Sequence, residues 1–292
     1  MKPCFAVEII TPKKYVLGGL WFGASRAERV IIFIHGLGSS AFSQHQLVRP
    51  WVDKKTAVMT FSNRGHDKIA KLRKLVGVKK SHVSILAGQA HEVFTDCADD
   101  IQGAVNFAKK QGVKEIYLAG HSTGCQKSVY YGSKKSDRRV KGLILLAPMS
   151  DYSIAVMADK NGKLNRAVKI AIGMARAGKK HDLMSRNICG DVIDAQRFLS
   201  LYTPDSAEEI FSYAQPKKNS FVLKKIKLPM LIMLAEKDEY GDRPAKNIAA
   251  WFGKYINSKS SVKIIPGVTH GFAGGEKRVA GLLQGWLKSA NI

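Results

Sequence analysis

Six short runs of almost unbroken apolar residues decide most of what this chain can become. They are 30–34 (VIIFI), 57–61 (AVMTF), 116–119 (IYLA), 143–146 (LILL), 230–235 (MLIMLA) and 262–265 (VKII). A strand with one face in water alternates polar and apolar residues; a run with no such alternation is buried on both faces. Between the runs lie segments of helical pattern. The segment 96–110 has Asp96, Asp99 and Asp100 in its first turn, Lys109 and Lys110 in its last, and Gly112 just beyond. Those charges match the helix dipole at both ends. Two more strands, 6–10 and 15–22, form an opening pair around Thr11-Pro12, and a closing helix takes in 280–287. Buried strands alternating with helices predict an α/β chain with a mostly parallel sheet covered by helices on both faces.

Sites in such sheets lie beyond the carboxyl ends of the strands. The candidates are therefore the residues that follow the apolar runs: His35, Asn63, Ser122, Asp151, Asp238 and His270. One stretch breaks the alternation. From about 151 to 223 the pattern is helical and mixed, with no strand-like run. That is too long for one crossover. We expect residues 1–292 to form a single domain with a helical cap inserted at about 151–223, after the sixth strand.

Ser122 stands in Gly120-His121-Ser122-Thr123-Gly124, between the run 116–119 and a helical segment at 125–131. Strand, tight turn, helix is the context of a nucleophile elbow, in which Gly120 and Gly124 let strand and helix approach closely. A serine hydroxyl needs a base, and the base an orienting carboxylate. Downstream of Ser122 only His181 and His270 remain. His181 lies in the basic stretch 178–181 of the expected cap, whereas His270 follows the last strand. Asp238 follows the strand before it, with Glu236 and Glu239 as neighbours and Asp151 as a more distant alternative. Two backbone N–H groups should receive the oxyanion. Thr123, next to the nucleophile, is one. Leu37 is the other, in the loop His35-Gly36-Leu37-Gly38, where Gly36 allows the turn. Cys125, on the helix after the elbow, reads as a small buried residue.

The formal net charge is +24, a balance that attracts anions. Yet the lysines are spread along the chain, with no basic tail, zinc-finger spacing or aromatic-basic pattern. A solvated lysine-rich surface is the expectation, without specific nucleic-acid binding. No run of 18 or more apolar residues predicts a membrane span. The four cysteines, Cys4, Cys97, Cys125 and Cys189, form no C-x-x-C pair and suit reduced thiols in the cytoplasm. In the expected cap, Leu164, Ala167, Val168, Ala171, Ile172 and Ala175 recur at helical spacing, with Lys163, Arg166 and Lys169 between them. Such a helix would turn its apolar face to the pocket and hold lysines at the rim, in reach of an anionic group on the substrate.

The stretches FIHGLGSS, FSNRGHD, LAGHSTG, LLAP, AEKDEY and GVTHGF, in that order, resemble the signposts of the α/β-hydrolase superfamily over essentially the whole chain. GHSTGCQKSVYY, with EVFTDCADDIQGAVNFA before it, is similar to a branch that includes siderophore-esterase-like proteins. The resemblance implies the α/β-hydrolase fold and hydrolysis of an ester. Asn63 departs from the Asp that many members carry before Arg-Gly, and reads as a structural position. The expected chemistry is cleavage of a small-molecule ester through an acyl-enzyme, with Ser122, His270 and Asp238 as triad and no cofactor or metal. Thioester or amide cleavage, acyl transfer to another acceptor, and ligand binding with little turnover remain open, as does the oligomeric state. So does a nucleic-acid or membrane-surface role driven by the charge.

Overall fold

All six apolar runs become neighbouring parallel strands of one sheet. A computed structural model describes residues 3–77, 81–215, 217–218 and 220–289. Its strands are β1 (Cys4–Ile10), β2 (Tyr15–Phe22), β3 (Arg29–Ile34), β4 (Thr56–Phe61), β5 (Ala70–Val76), β6 (Ser81–Ala87), β7 (Glu115–His121), β8 (Val140–Leu146), β9 (Met230–Ala235) and β10 (Ser261–Ile265). They lie in the order β10-β9-β8-β7-β3-β4-β2-β5-β6, with β1 paired to β2. From β10 to β4 every pairing is parallel. From β4 to β6, and between β1 and β2, every pairing is antiparallel.

β3 explains the unbroken apolar runs. Val30, Ile32 and Ile34 enter one core layer, while Ile31 and Phe33 enter the other. The helices are α1 (His45–Val48), α2 (Cys97–Lys110), α3 (Thr123–Lys134), α4 (Asp151–Ala158), α5 (Lys163–Arg176), α6 (Arg186–Cys189), α7 (Ala195–Tyr202), α8 (Phe221–Lys224), α9 (Ala245–Gly253) and α10 (Glu276–Ser289). Ile101 and Val105 of α2, Val129 of α3 and Phe252 of α9 fill the first layer. Leu47 of α1 and Leu283 and Trp286 of α10 fill the second. Among the described residues no helix is long and apolar enough to cross a membrane.

The hairpin β5–β6 is absent from the sequence reading. Of its residues only Leu72 and Ala87 are buried, so lysines, serines and a histidine interrupt the apolar pattern on the water side. With these two strands added, the helical insertion follows β8, not the sixth strand. The insertion runs from the end of β8 to Met230 and contains α4 to α8. Ala167, Ala171, Met184, Ile193, Phe198 and Leu201, from α5 to α7, form a small apolar cluster of their own. Ile210, Phe211, Tyr213 and Leu223, later in the insertion, return to the first core layer.

Candidate active site

Ser122 sits between the end of β7 and the start of α3 with φ 56° and ψ −128°. A non-glycine residue at positive φ is strained and persists only where its surroundings hold it. The flanking glycines show what holds it. A Cβ on Gly120 would lie 2.2 Å from the Gly124 carbonyl oxygen, and one on Gly124 would lie 2.1 Å from the Ile34 carbonyl oxygen. Strand β7, helix α3 and strand β3 thus meet backbone to backbone around the serine. The Ser122 N–H donates to the Leu146 carbonyl at 3.0 Å, and its Oγ–H donates to Met149 Sδ at 3.3 Å. Thr123 is the first residue of α3, so its N–H has no helical acceptor one turn earlier.

The loop after β3 approaches from the other side. A Cβ on Gly36 would come within 2.9 Å of Ser122 Cβ, so only glycine fits there without pushing the serine. His35 pins this loop. Its Nδ1–H donates to the Gly36 carbonyl at 2.8 Å, and its Nε2 accepts the Asn63 N–H at 3.2 Å. Burial, helped by the Lys127 charge, lowers its pKa to about 3, so the ring stays neutral with one fixed tautomer. Asn63 Oδ1 accepts from the Gly65 N–H at 3.0 Å and faces Lys127 Nζ at 3.4 Å; these contacts tie loops together.

His270 is held at four points. Its Nδ1 donates to the Asp238 carboxylate, 2.9 Å from Oδ2 and 3.0 Å from Oδ1, which leaves Nε2 as the acceptor. Its N–H donates to Glu239 Oε2 at 2.8 Å. Its carbonyl accepts from His121 Nε2 at 2.9 Å. Its ring packs edge-on against Tyr240, with centroids 4.8 Å apart, and tilted against the His121 ring at 4.9 Å. Burial, and the neighbouring His270, lower the pKa of His121 to about 4, which keeps it a neutral donor. Sequence reasoning missed His121, although it stands directly before Ser122 in the same motif. It named Glu239 as an alternative acid; the structure has this side chain on the His270 backbone.

Ser122, His270, Gly36 and Leu37 line one cavity of about 740 Å³. Asp238 stands behind His270, and Thr123, Gly120 and Gly124 are not among the lining residues. The inserted helices supply much of the remaining wall, including Ile154, Ala158, Leu164, Ala167, Ile188, Phe198 and Tyr202, together with Asp151, Asp159, Lys160 and Lys163. Asp151 accepts from Gln126 Nε2 at 3.3 Å. Burial, and then the charge of Glu208, raise its pKa to about 8 against the pull of Arg197. His181 is elsewhere, bonded to Asp194 at 3.2 Å. Cys125 is fully buried, with Sγ 3.2 Å from the carbonyls of Gly120 and Leu146. Burial pushes its thiol pKa up, which agrees with a packing residue.

A buried ionic network joins the insertion to α3 and to the segment before α2. Lys127 of α3 lies 2.5 Å from Glu92 Oε1, and Arg197 of α7 lies 2.9 Å from Glu92 Oε2. Arg197 also pairs with Glu208. All four side chains are almost fully buried. Among the described residues, no group of three or more His, Cys, Asp or Glu side chains is gathered so as to hold a metal ion.

A family profile described as "Protein of unknown function (DUF1749)" matches residues 79–285. No curated protein matches the chain by sequence. Among solved structures, the siderophore hydrolase EstB from Aspergillus fumigatus is 17% identical and aligns over 99% of this chain and 98% of its own, with a TM-score of 0.69. The alpha/beta hydrolase GrgF from Penicillium sp. sh18 is 16% identical over 99% of each chain, with a TM-score of 0.65. Est1E from Butyrivibrio proteoclasticus, solved with ferulic acid bound, is 17% identical over 98% of this chain and 99% of its own, with a TM-score of 0.63. At such identities the likeness shows the fold, which is that of an α/β hydrolase.

Proposed function

The chain belongs to the DUF1749 family and has the α/β-hydrolase fold, and from these premises we propose that it is a serine hydrolase of carboxylic esters. The observation that carries the reading is the strained Ser122 in the same cavity as His270, whose Nδ1 is 2.9 Å from Asp238. In the proposed reaction His270 Nε2 takes the Ser122 proton as Oγ attacks the ester carbonyl. Asp238 orients the ring and stabilises the imidazolium. The N–H groups of Leu37 and Thr123 receive the oxyanion. The imidazolium then protonates the leaving alcohol. A water deprotonated by His270 attacks the acyl-enzyme and releases the acid. These steps need no group beyond the side chains and backbone named.

Helices α4 to α7 act in this reading as a lid that selects the substrate. Leu37 packs against their apolar cluster, which links the lid to one oxyanion donor. The siderophore hydrolase EstB, and Est1E with its bound ferulic acid, support a small molecule as the substrate. The four free thiols support a cytoplasmic setting. The test is a fluorophosphonate probe followed by a panel of esters with varied acyl length. Ser122 should be labelled, and Ser122→Ala should abolish both labelling and turnover. Turnover near the wild-type rate in folded Ser122→Ala protein would reject the mechanism. Thioester or amide cleavage at undiminished labelling would move the substrate class and leave the triad.

A further inference from the structure

The wall of the cavity that holds Ser122 is apolar over most of its extent, yet it includes two lysines, Lys160 and Lys163. Both are exposed. Among the described residues the lysines that form ion pairs are Lys13, Lys55, Lys68, Lys127 and Lys218, so these two ammonium groups stand without a carboxylate partner. Two acids share the wall. Asp159 is engaged with the start of α5, where its Oδ1 accepts the Lys163 N–H at 2.9 Å. Asp151 has no cation to itself, because Lys127 and Arg197 are matched by Glu92 and Glu208. Burial and the Glu208 charge keep its carboxyl protonated up to about pH 8. At neutral pH the cavity therefore combines a reacting end, an apolar wall and a positive edge. Arg166 and Lys169, exposed on α5, add to the same positive field.

We propose that the ester cleaved here carries an anionic oxygen group, a carboxylate or a phosphate, set apart from the scissile carbonyl by an apolar segment and held by Lys160 and Lys163. This rests on the serine-hydrolase reading above and narrows its substrate class. A neutral ester gains only the apolar wall. An anionic one also gains the field of the two lysines, both during encounter and in the bound state. Because the lysines are open to water, the field is screened by salt, over about 8 Å at 0.15 M ionic strength. The expected preference is modest, about two- to tenfold, as for charge pairs near a surface.

Three activated esters of equal acyl length would be compared, ending in a methyl, a carboxylate or a phosphate. The readout is kcat/KM for each charged ester relative to the methyl one. In the wild-type protein the ratio should exceed one at low salt and fall as salt rises, and the ester with the larger ratio identifies the anion. Lys160→Gln/Lys163→Gln should bring the ratio down to the high-salt value. Lys109→Gln/Lys110→Gln removes the same formal charge from the exposed end of α2 and should leave the ratio unchanged. Hydrolysis of the methyl ester with ratios of one or less overturns this inference alone. So does an equal loss of preference in both lysine pairs, which would mean a net-charge effect. No labelling of Ser122 and no turnover of any ester would overturn the hydrolase reading and this inference with it.

Discussion

Replacing Glu92 with Gln should destabilise the protein far more than its place in an irregular segment suggests. The carboxylate is 5% exposed and lies between two cations that are themselves fully buried, Lys127 and Arg197. Burial alone would raise its pKa, but Lys127 and Arg197 overcome that and hold it at about 2 instead of 4.5. At about 1.4 kcal/mol for each pH unit, the displacement corresponds to about 3 kcal/mol of stability. Removing one member of a buried ion pair costs about 3–5 kcal/mol by a separate route, since it strands the other charge. In Glu92→Gln, Arg197 keeps Glu208, whereas Lys127 loses its carboxylate partner and is left with neutral oxygens such as Asn63 Oδ1 at 3.4 Å. For a chain of this size the loss should lower Tm by roughly 5–8 °C. The pH dependence has a definite sign. The folded pKa lies below the unfolded one, so the contribution is complete above pH 4.5 and lost as pH falls through about 2. Urea unfolding of wild type and Glu92→Gln at pH 7 and pH 3 should show the gap shrinking by more than half. The double variant Glu92→Gln/Lys127→Met should recover much of the loss, because no stranded charge remains. A gap below about 1 kcal/mol, or single losses that simply add, would refute the account.

Three other perturbations address the site. Gly124→Ala puts a Cβ 2.1 Å from a backbone oxygen of β3; overpacking of this kind costs about 1–3 kcal/mol, and a shift of about 1 Å at the elbow should lower kcat about 100-fold, so a fully active variant would mean the strand–helix contact does not position Ser122. Asp238→Ala and His270→Ala should each lose activity severely, and the double variant should be little worse than the poorer single one if they share one role; losses that multiply would mean separate roles. Asp151, facing Glu208, Glu209 and Arg197, has a folded pKa of about 8 against 3.8, so the folded state holds a proton that the unfolded state releases, and stability falls as pH rises from about 4 to 8. Asp151→Asn should therefore raise Tm more at pH 8.5 than at pH 4, and a Tm difference independent of pH would contradict the assignment.

What could be read from the sequence was local. The strands β3, β4, β7, β8 and β9 declare themselves because a strand buried on both faces must be apolar at successive positions; β10, an edge strand with only Ile265 buried, was read from the same pattern although most of it is open to water. Ser122, Asp238 and His270 were legible as candidates because each follows such a strand closely, where the chain leaves the sheet. The hairpin β5–β6 was not legible, since its water-facing side carries the same lysines and serines as a loop. Nor was the network of Glu92, Lys127, Arg197 and Glu208. In a chain with 47 basic residues, nothing adjacent to Lys127 or Arg197 distinguishes a buried cation from a solvated one. Their partners come from segments far apart in the chain, and the choice of partner depends on how α3 and α7 are brought together. The same holds for Met149 against Ser122 and for Tyr240 and His121 around His270. The presence of the strands and the turn at Ser122 follow from backbone sterics and the burial of apolar side chains, which act over a few residues. Charge pairing and the shape of the cavity are settled by distances in space, and only the folded chain sets those.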